Sequence, residues 1–312
     1  MAAVDELTTQ LSQTRIAPTP SSAERQSCTS SITQHNNAVD QVIYGVLKPD
    51  LKASESKKLL PDHPCFDVAR KYAKKWNISA KAVDSHIKLA CGYLKFPVIM
   101  LLNPAPKHEY LAFDEMVQGC KTLRWIEDVL HRVGLGLADV IILDACTLLS
   151  NDRIRQIERE GGMKKEQALS EAYDVTEKAL QAIKPNIILS CQCSTTFPEW
   201  RVVGHVIAEE LSSSIKRAGE VRNVEINNQM IDVIQAYHPG SFLNRKGHHD
   251  PSGQKLKELF RRLYLPCATW KSQNMMALFA SVNKTIFDST STLVTEIEDK
   301  KESLNIAEDR LV

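Results

Sequence analysis

Three apolar runs, each closing on a polar cluster, constrain this chain more than any other feature: VIMLLNPAPKHEY at 98–110, VIILDACTLLSND at 140–152 and VIQAYHPGSFLN at 233–244. Around them, short apolar runs alternate with longer amphipathic ones. The periodicity predicts strands at 97–102, 139–144 and 186–191 and helices at 113–132, 164–183 and 199–218. Such alternation implies a mostly parallel sheet with helices on both faces, since parallel neighbours need a crossover that lays a helix over the sheet. The expected class is therefore a three-layer α/β/α fold around a short, mostly parallel central sheet. In such sheets ligands bind beyond the carboxyl ends of the strands, which makes the polar endings the candidate functional residues.

The flanks divide the chain further. Residues 1–37 are rich in Ser, Thr, Gln and Pro with few large apolar groups, and read as a disordered tail. The α/β domain is expected over 38–265. It opens with two amphipathic helices in CFDVARKYAKKWNIS and AKAVDSHIKLACGYL, and holds a hairpin turning at Asn227-Asn228. A helix at 251–263 follows Asp250-Pro251-Ser252, a helix start with proline in the first turn. Beyond Pro266, residues 266–312 read as a weakly patterned helical appendage, a place for a protein partner or a short coiled coil.

Composition narrows the function classes. A formal net charge of +1 gives no global field for a polyanion, so any nucleic-acid contact must come from a local basic patch. The eight cysteines are scattered through apolar and helical patterns and read as reduced thiols of an intracellular protein, nuclear or cytoplasmic. The close pair Cys191 and Cys193 lacks a second pair, so no zinc or iron–sulfur site is expected. No run is apolar enough to cross a bilayer, and no membrane association is expected. Gly134-Leu135-Gly136 precedes its strand instead of following it, which removes a dinucleotide fingerprint.

Asn103, followed by Pro104-Ala105-Pro106, leaves the first strand through a rigid exit, where its amide either positions a water or caps the turn. Asp144 ends the second strand, suited to reading the polar edge of a ligand or to capping a helix. His238 sits in Tyr237-His238-Pro239-Gly240-Ser241, a tight loop that offers an imidazole near neutral pH. After it come Phe242 and Leu243, then Asn244, Arg245, Lys246, Gly247, His248 and His249. An apolar wedge followed by phosphate-binding donors is the combination that enters a base stack. The plain alternative is a solvated loop with one buried anchor.

The order and spacing of these segments over roughly residues 60–265 resemble the uracil-DNA glycosylase superfamily. LLNPAP is similar to its first motif in the Asn-Pro form, YHPGSFLN to its last, and VIILDACTLL to its middle strand. By that resemblance Asn103 holds the attacking water and His238 stabilises the leaving base, while Phe113 stacks on the extruded base and Asp144 reads its edge. Pro104, Ser241, Phe242, Leu243, Arg245 and Lys246 then contact DNA. Two departures stand out: Asp144 replaces the family's usual Asn, and Gly240 separates Pro239 from Ser241. An ionised carboxylate only accepts hydrogen bonds, so Asp144 is expected to disfavour uracil relative to bases with an exocyclic amine, or to abolish activity.

The implied function is that of a monofunctional, monomeric DNA glycosylase without metal or cofactor, removing a deaminated or damaged base from DNA. The alternatives are an inactive binding module of the same fold and an unrelated α/β enzyme for a small nucleotide ligand.

Overall fold

In the computed structural model, the described residues are 37–53, 57–161, 164–196, 200, 202–243 and 250–308, with side chains of the last helix described up to residue 283. The expected tail, all but its last residue, and Arg245 and Lys246 lie outside the described residues.

Helices α1 (Lys48–Ala53), α2 (Phe66–Lys75) and α3 (Ala80–Ala90) precede the sheet. Strand β1 (Val98–Leu101) leads through a tight turn at Pro106–Glu109 into α4 (Phe113–Gly119) and α5 (Lys121–His131). Strand β2 (Ile142–Asp144) leads into α6 (Asn151–Arg159) and α7 (Lys164–Ile183), and β3 (Ile187–Ser190) into the single turn α8 (Val206–Glu209). The hairpin β4 (Val221–Ile226) and β5 (Gln229–Gln235) follows, then a turn, α9 (Gly240–Leu243), and the long α10 (Pro251–Glu308).

The sheet has the order β2-β1-β3-β5-β4, parallel throughout except for β4 at one edge. Asn227 and Asn228, at φ 51° and 60°, make the two-residue turn between β4 and β5; paired left-handed residues match the twist of a hairpin. Side chains alternate across the parallel strands. Val98, Met100, Leu143, Ile188 and Val233 join α2, α6 and α7 in one core. Ile99, Leu101, Ile142, Leu189 and Ile234 join α5 and α10 in the other. Burial on both faces explains why these strands read as unbroken apolar runs. Gly92, between α3 and β1, lies against the backbone of Val140 and Ile141, where a Cβ would come within 2.6 Å of the Val140 carbonyl carbon.

Three elements differ from the sequence expectation. The helix expected over 113–132 is two, broken at Cys120, whose ψ of 107° is extended. The helix expected over 199–218 shrinks to α8 and a short turn at Ile215–Arg217. There, polar side chains compete for the backbone: the Ser213 hydroxyl donates to the Gln192 carbonyl at 2.6 Å, and Gln192 donates from Nε2 to the Ile207 carbonyl at 3.0 Å. The third difference is α10, which runs through Pro266 without a break.

A domain boundary at 265 therefore falls inside a core helix. Cys267, Ala268 and Trp270 are buried, with the Trp270 ring edge-on to Tyr93 and Phe96 at 5.5 and 5.6 Å. An interior proline costs a helix about 3 kcal/mol. Burying roughly 200 Å² of indole returns about 5 kcal/mol, so packing outweighs the missing backbone bond. Among the described residues no helix is long and apolar enough to cross a membrane.

Candidate functional site

Strands β1, β2 and β5 run in one direction, so their carboxyl ends share one edge of the sheet. Asn103, Asp144 and His238 leave those ends and line one cavity of about 380 Å³, within the range of small-ligand sites. Pro104 lines it too. Another cavity of about 380 Å³, between Val39, Tyr237 and Leu259, lacks such a convergence of polar groups from strand ends.

The His238 loop is held from both sides. Tyr237 donates its hydroxyl to the Ser252 carbonyl, and Phe242 packs into the second core against Trp125 at 5.4 Å. Within the loop the Gly240 N–H donates to His238 Nδ1 at 3.0 Å. A ring nitrogen that accepts carries no proton, so the neutral imidazole bears its hydrogen on Nε2. Burial lowers the His238 pKa from its ordinary value, which keeps that neutral form at pH 7.

Asn103 is oriented by a residue the sequence reading passed over. Its Nδ2 donates to Asn151 Oδ1 at 3.3 Å and to the Pro104 carbonyl at 3.2 Å, which leaves Oδ1 as the acceptor for a water. Asn151 opens α6, capped by Ser150, whose hydroxyl accepts from the Arg153 N–H at 3.2 Å. Further along α6, Arg153 reaches back to Glu109 in a buried ion pair of 2.7 Å, fixing the turn at Pro106–Glu109. One helix start thus holds both the amide and the proline-rich exit.

Asp144 has no side-chain hydrogen bond among the described residues. Its backbone carbonyl accepts from the Thr147 and Thr176 hydroxyls at 3.0 and 2.8 Å, which pins the main chain and leaves the carboxyl at the cavity wall. Burial raises its pKa to about 7, so near neutrality a substantial fraction is protonated. In that fraction the neutral acid offers one donor and one acceptor, the pattern of an amide, whereas the ionised form only accepts.

A second chamber of about 30 Å³, room for roughly one or two waters, continues behind Asp144. Its wall includes the Ser85 hydroxyl, buried and without a hydrogen-bond partner, and His86, whose pKa burial pushes down to about 4. His108 borders both chambers and is also held below its ordinary pKa by burial. Asn151, His108 and Ser85 had no signal in isolated motifs, because turns and helix starts far apart in the chain bring them together.

Other expected site residues stand elsewhere. Phe113 starts α4 half-buried against the second core, with Lys88 5.5 Å above its ring, and does not line the cavity. Phe242 is a core anchor instead of an exposed wedge, and Leu243 is half-buried against the same core. Each is drawn inward because α9 is a single turn laid against α5 and α10. Ser241 is not on the cavity wall: its hydroxyl is buried without a partner, and its N–H donates to the His238 carbonyl at 2.9 Å.

Among the described residues Asp174, Glu177 and His205 have ligand atoms within 4.8 Å of one another. His205 Nδ1 accepts from the Ile207 N–H at 3.2 Å, which puts the ring proton on Nε2, toward Asp174. A metal at Nε2 would need that lone pair and a proton on Nδ1, facing another N–H. The trio is better described as a helix cap with two acidic neighbours.

No protein-family model matches the chain, and no curated protein sequence matches it.

Proposed function

We propose that the protein is an N-glycosyl hydrolase resembling uracil-DNA glycosylases, which removes a deaminated or damaged base from DNA without a metal or cofactor. The observation that carries this reading is the convergence of three differently prepared groups on one cavity: Asn103 with a free acceptor, His238 as a fixed donor, and the unpartnered Asp144.

In this mechanism the base leaves the stack and enters the cavity. Asn103 Oδ1 accepts from a water aimed at the anomeric carbon. The N-glycosidic bond breaks with its electron pair going to the base, and the water oxygen bonds to the sugar carbon. Negative charge on the departing base is met by the Nε2–H of His238, a preorganised donor worth about 3–4 kcal/mol in a water-excluded site. The water gives its extra proton to solvent, and the base takes one up. Asp144 in its neutral form donates to a base carbonyl and accepts from the neighbouring ring N–H, the edge presented by uracil.

The inward placement of Phe242 and Leu243 favours a second reading, cleavage of a free nucleoside or nucleotide, because neither residue is available as an exposed wedge. Oligonucleotides carrying uracil, hypoxanthine, xanthine or normal bases, scored for abasic sites beside the matching free nucleosides, test both. Base release from a lesion strand supports the glycosylase; release from nucleosides alone supports the second reading. Binding of DNA without release from any substrate would leave only a binding module.

A further inference from the structure

Past Lys271, which pairs with Asp139 at 2.7 Å, α10 leaves the body of the protein and runs on for about 55 Å at 1.5 Å per residue. Its first turns there expose large apolar side chains: Met276 is 69% accessible, Leu278 64% and Phe279 62%, with Met275 and Val282 close to half. A contiguous apolar patch of this kind marks an interaction surface.

The unbroken helix gives the later residues a phase. Positions 275, 279, 282, 286, 290, 293, 297, 300, 304 and 307 advance by alternating steps of four and three, with one repeated step of four at 282–286–290. The residues are Met, Phe, Val, Ile, Thr, Leu, Ile, Lys, Leu and Ala, so all but Thr290 and Lys300 are apolar. They fall on one stripe of the helix. This is a coiled-coil seam carrying a stutter, which locally unwinds the supercoil without ending it.

We infer that α10 pairs with α10 of a second copy in a parallel coiled coil, making the protein a dimer in place of the monomer that the sequence alone suggests. The charges beside the seam select this occupant. With 297 and 304 at a positions, Glu296 is at g and Lys301 at e of the next heptad. A parallel, in-register pair sets each g against the following e of its partner, so Glu296 of each copy meets Lys301 of the other. An antiparallel pair would set g against g and e against e instead. Met276 and Leu278, at e and g of the earlier heptads, widen the seam and gain cover from the same partner.

Light scattering on the eluting full-length chain, repeated by sedimentation at several concentrations, tests this. Native protein is expected at twice its 35.0 kDa mass. Phe279→Asp with Ile286→Asp should give monomer with an unchanged thermal transition for the body. Glu296→Lys should weaken the dimer at least tenfold, and adding Lys301→Glu should restore it. A native protein that is monomeric at tens of micromolar overturns the inference, as does an assembly larger than a dimer or a dimer indifferent to the Phe279 and Ile286 changes. A dimer that Glu296→Lys leaves intact, or that the second exchange fails to rescue, overturns the parallel pairing.

Discussion

The backbone N–H of Gly240 donates to Nδ1 of His238 across 3.0 Å, so the loop itself decides which ring nitrogen holds the proton. The bond is made by main chain and does not depend on Ser241, whose displacement by one residue was the motif's main irregularity. His238 follows β5 on the cavity wall with its ring proton on Nε2, the tautomer that the proposed leaving-group stabilisation requires.

His238→Ala should therefore slow single-turnover base release by about 10²–10³ while changing substrate affinity little, because the bond strengthens as charge develops. Protonating Nδ1 would break the Gly240 bond, and burial already holds the His238 pKa below its ordinary value. Activity should thus persist from neutrality upward and fall as pH drops through that lowered pKa. Stability follows the same sign: the unfolded chain binds the proton first, so this group's contribution is full above about pH 6.5 and declines below it. A rate for His238→Ala within twofold of native would remove the residue from the chemistry.

Asn151→Ala should release the Asn103 amide and lower kcat by about ten- to a hundredfold at nearly constant KM, the expected effect of misaiming a reacting group. Asn151→Asp retains an acceptor for Asn103 Nδ2 and should recover most of the rate. Steady-state kinetics of the two variants side by side separates positioning from simple loss of stability, which would depress the active fraction in both.

The alternation of apolar runs made the parallel strands legible, because burial on both faces writes itself into sequence as unbroken Val, Ile and Leu. The 164–183 helix was equally plain. Less visible was the outcome at 199–218, where buried Gln192, Ser190 and Ser194 take carbonyls that a helix would use; such long-range competition leaves no periodic trace. Asn103, Asp144 and His238 could be placed together because each ends or closely follows a parallel strand. Asn151 could not, since its role depends on α6 starting beside Asn103, 48 positions away in the chain. Phe242 misled for a related reason: an aromatic in a loop reads as exposed until the helices it packs against are in place.

Asp144 should make base choice depend on pH. Below about 7 the neutral acid presents a donor and an acceptor to uracil; above it the carboxylate only accepts and favours an exocyclic amine. Relative release from uracil should fall as pH rises from 6 to 8, whereas Asp144→Asn should flatten that profile. A raised carboxyl pKa also means that the folded state holds a proton the unfolded chain releases, so this group lowers stability progressively between about pH 4 and 7. Asp144→Asn should accordingly raise the melting temperature more at pH 8 than at pH 5. A parallel pH profile in both proteins would show that Asp144 does not read the base.

Phe242→Ala should destabilise the fold by about 3–5 kcal/mol, the cost of emptying a packed aromatic site between Trp125, Tyr237 and Gly253. Urea unfolding measures it directly. If the residue were instead a wedge, stability would hardly change and duplex substrates would suffer more than single strands, the reverse of the expectation here.

The folded unit extends beyond Pro266. A chain stopped after Pro266 loses Cys267 and Trp270 from the second core and Lys271 from its ion pair with Asp139, whereas one stopped after Asn274 keeps all three. The shorter chain should be unfolded or lose several kcal/mol, since Trp270 alone buries an area worth about 5 kcal/mol. The longer one should match the intact body and be monomeric. Acid titration adds a second readout. Burial alone would raise the Asp139 pKa, but hydrogen bonds from Lys271, the Gly136 N–H and Lys58 bring it below the ordinary carboxylate value. Its contribution is therefore complete above about pH 4 and lost as pH falls through the lowered pKa. Lys271→Met in the longer chain should shrink that acid-dependent part while leaving Trp270 packed. Equal stability of the two truncations would mean that the helix beyond Pro266 adds nothing to the core, and that the boundary at 265 was placed correctly.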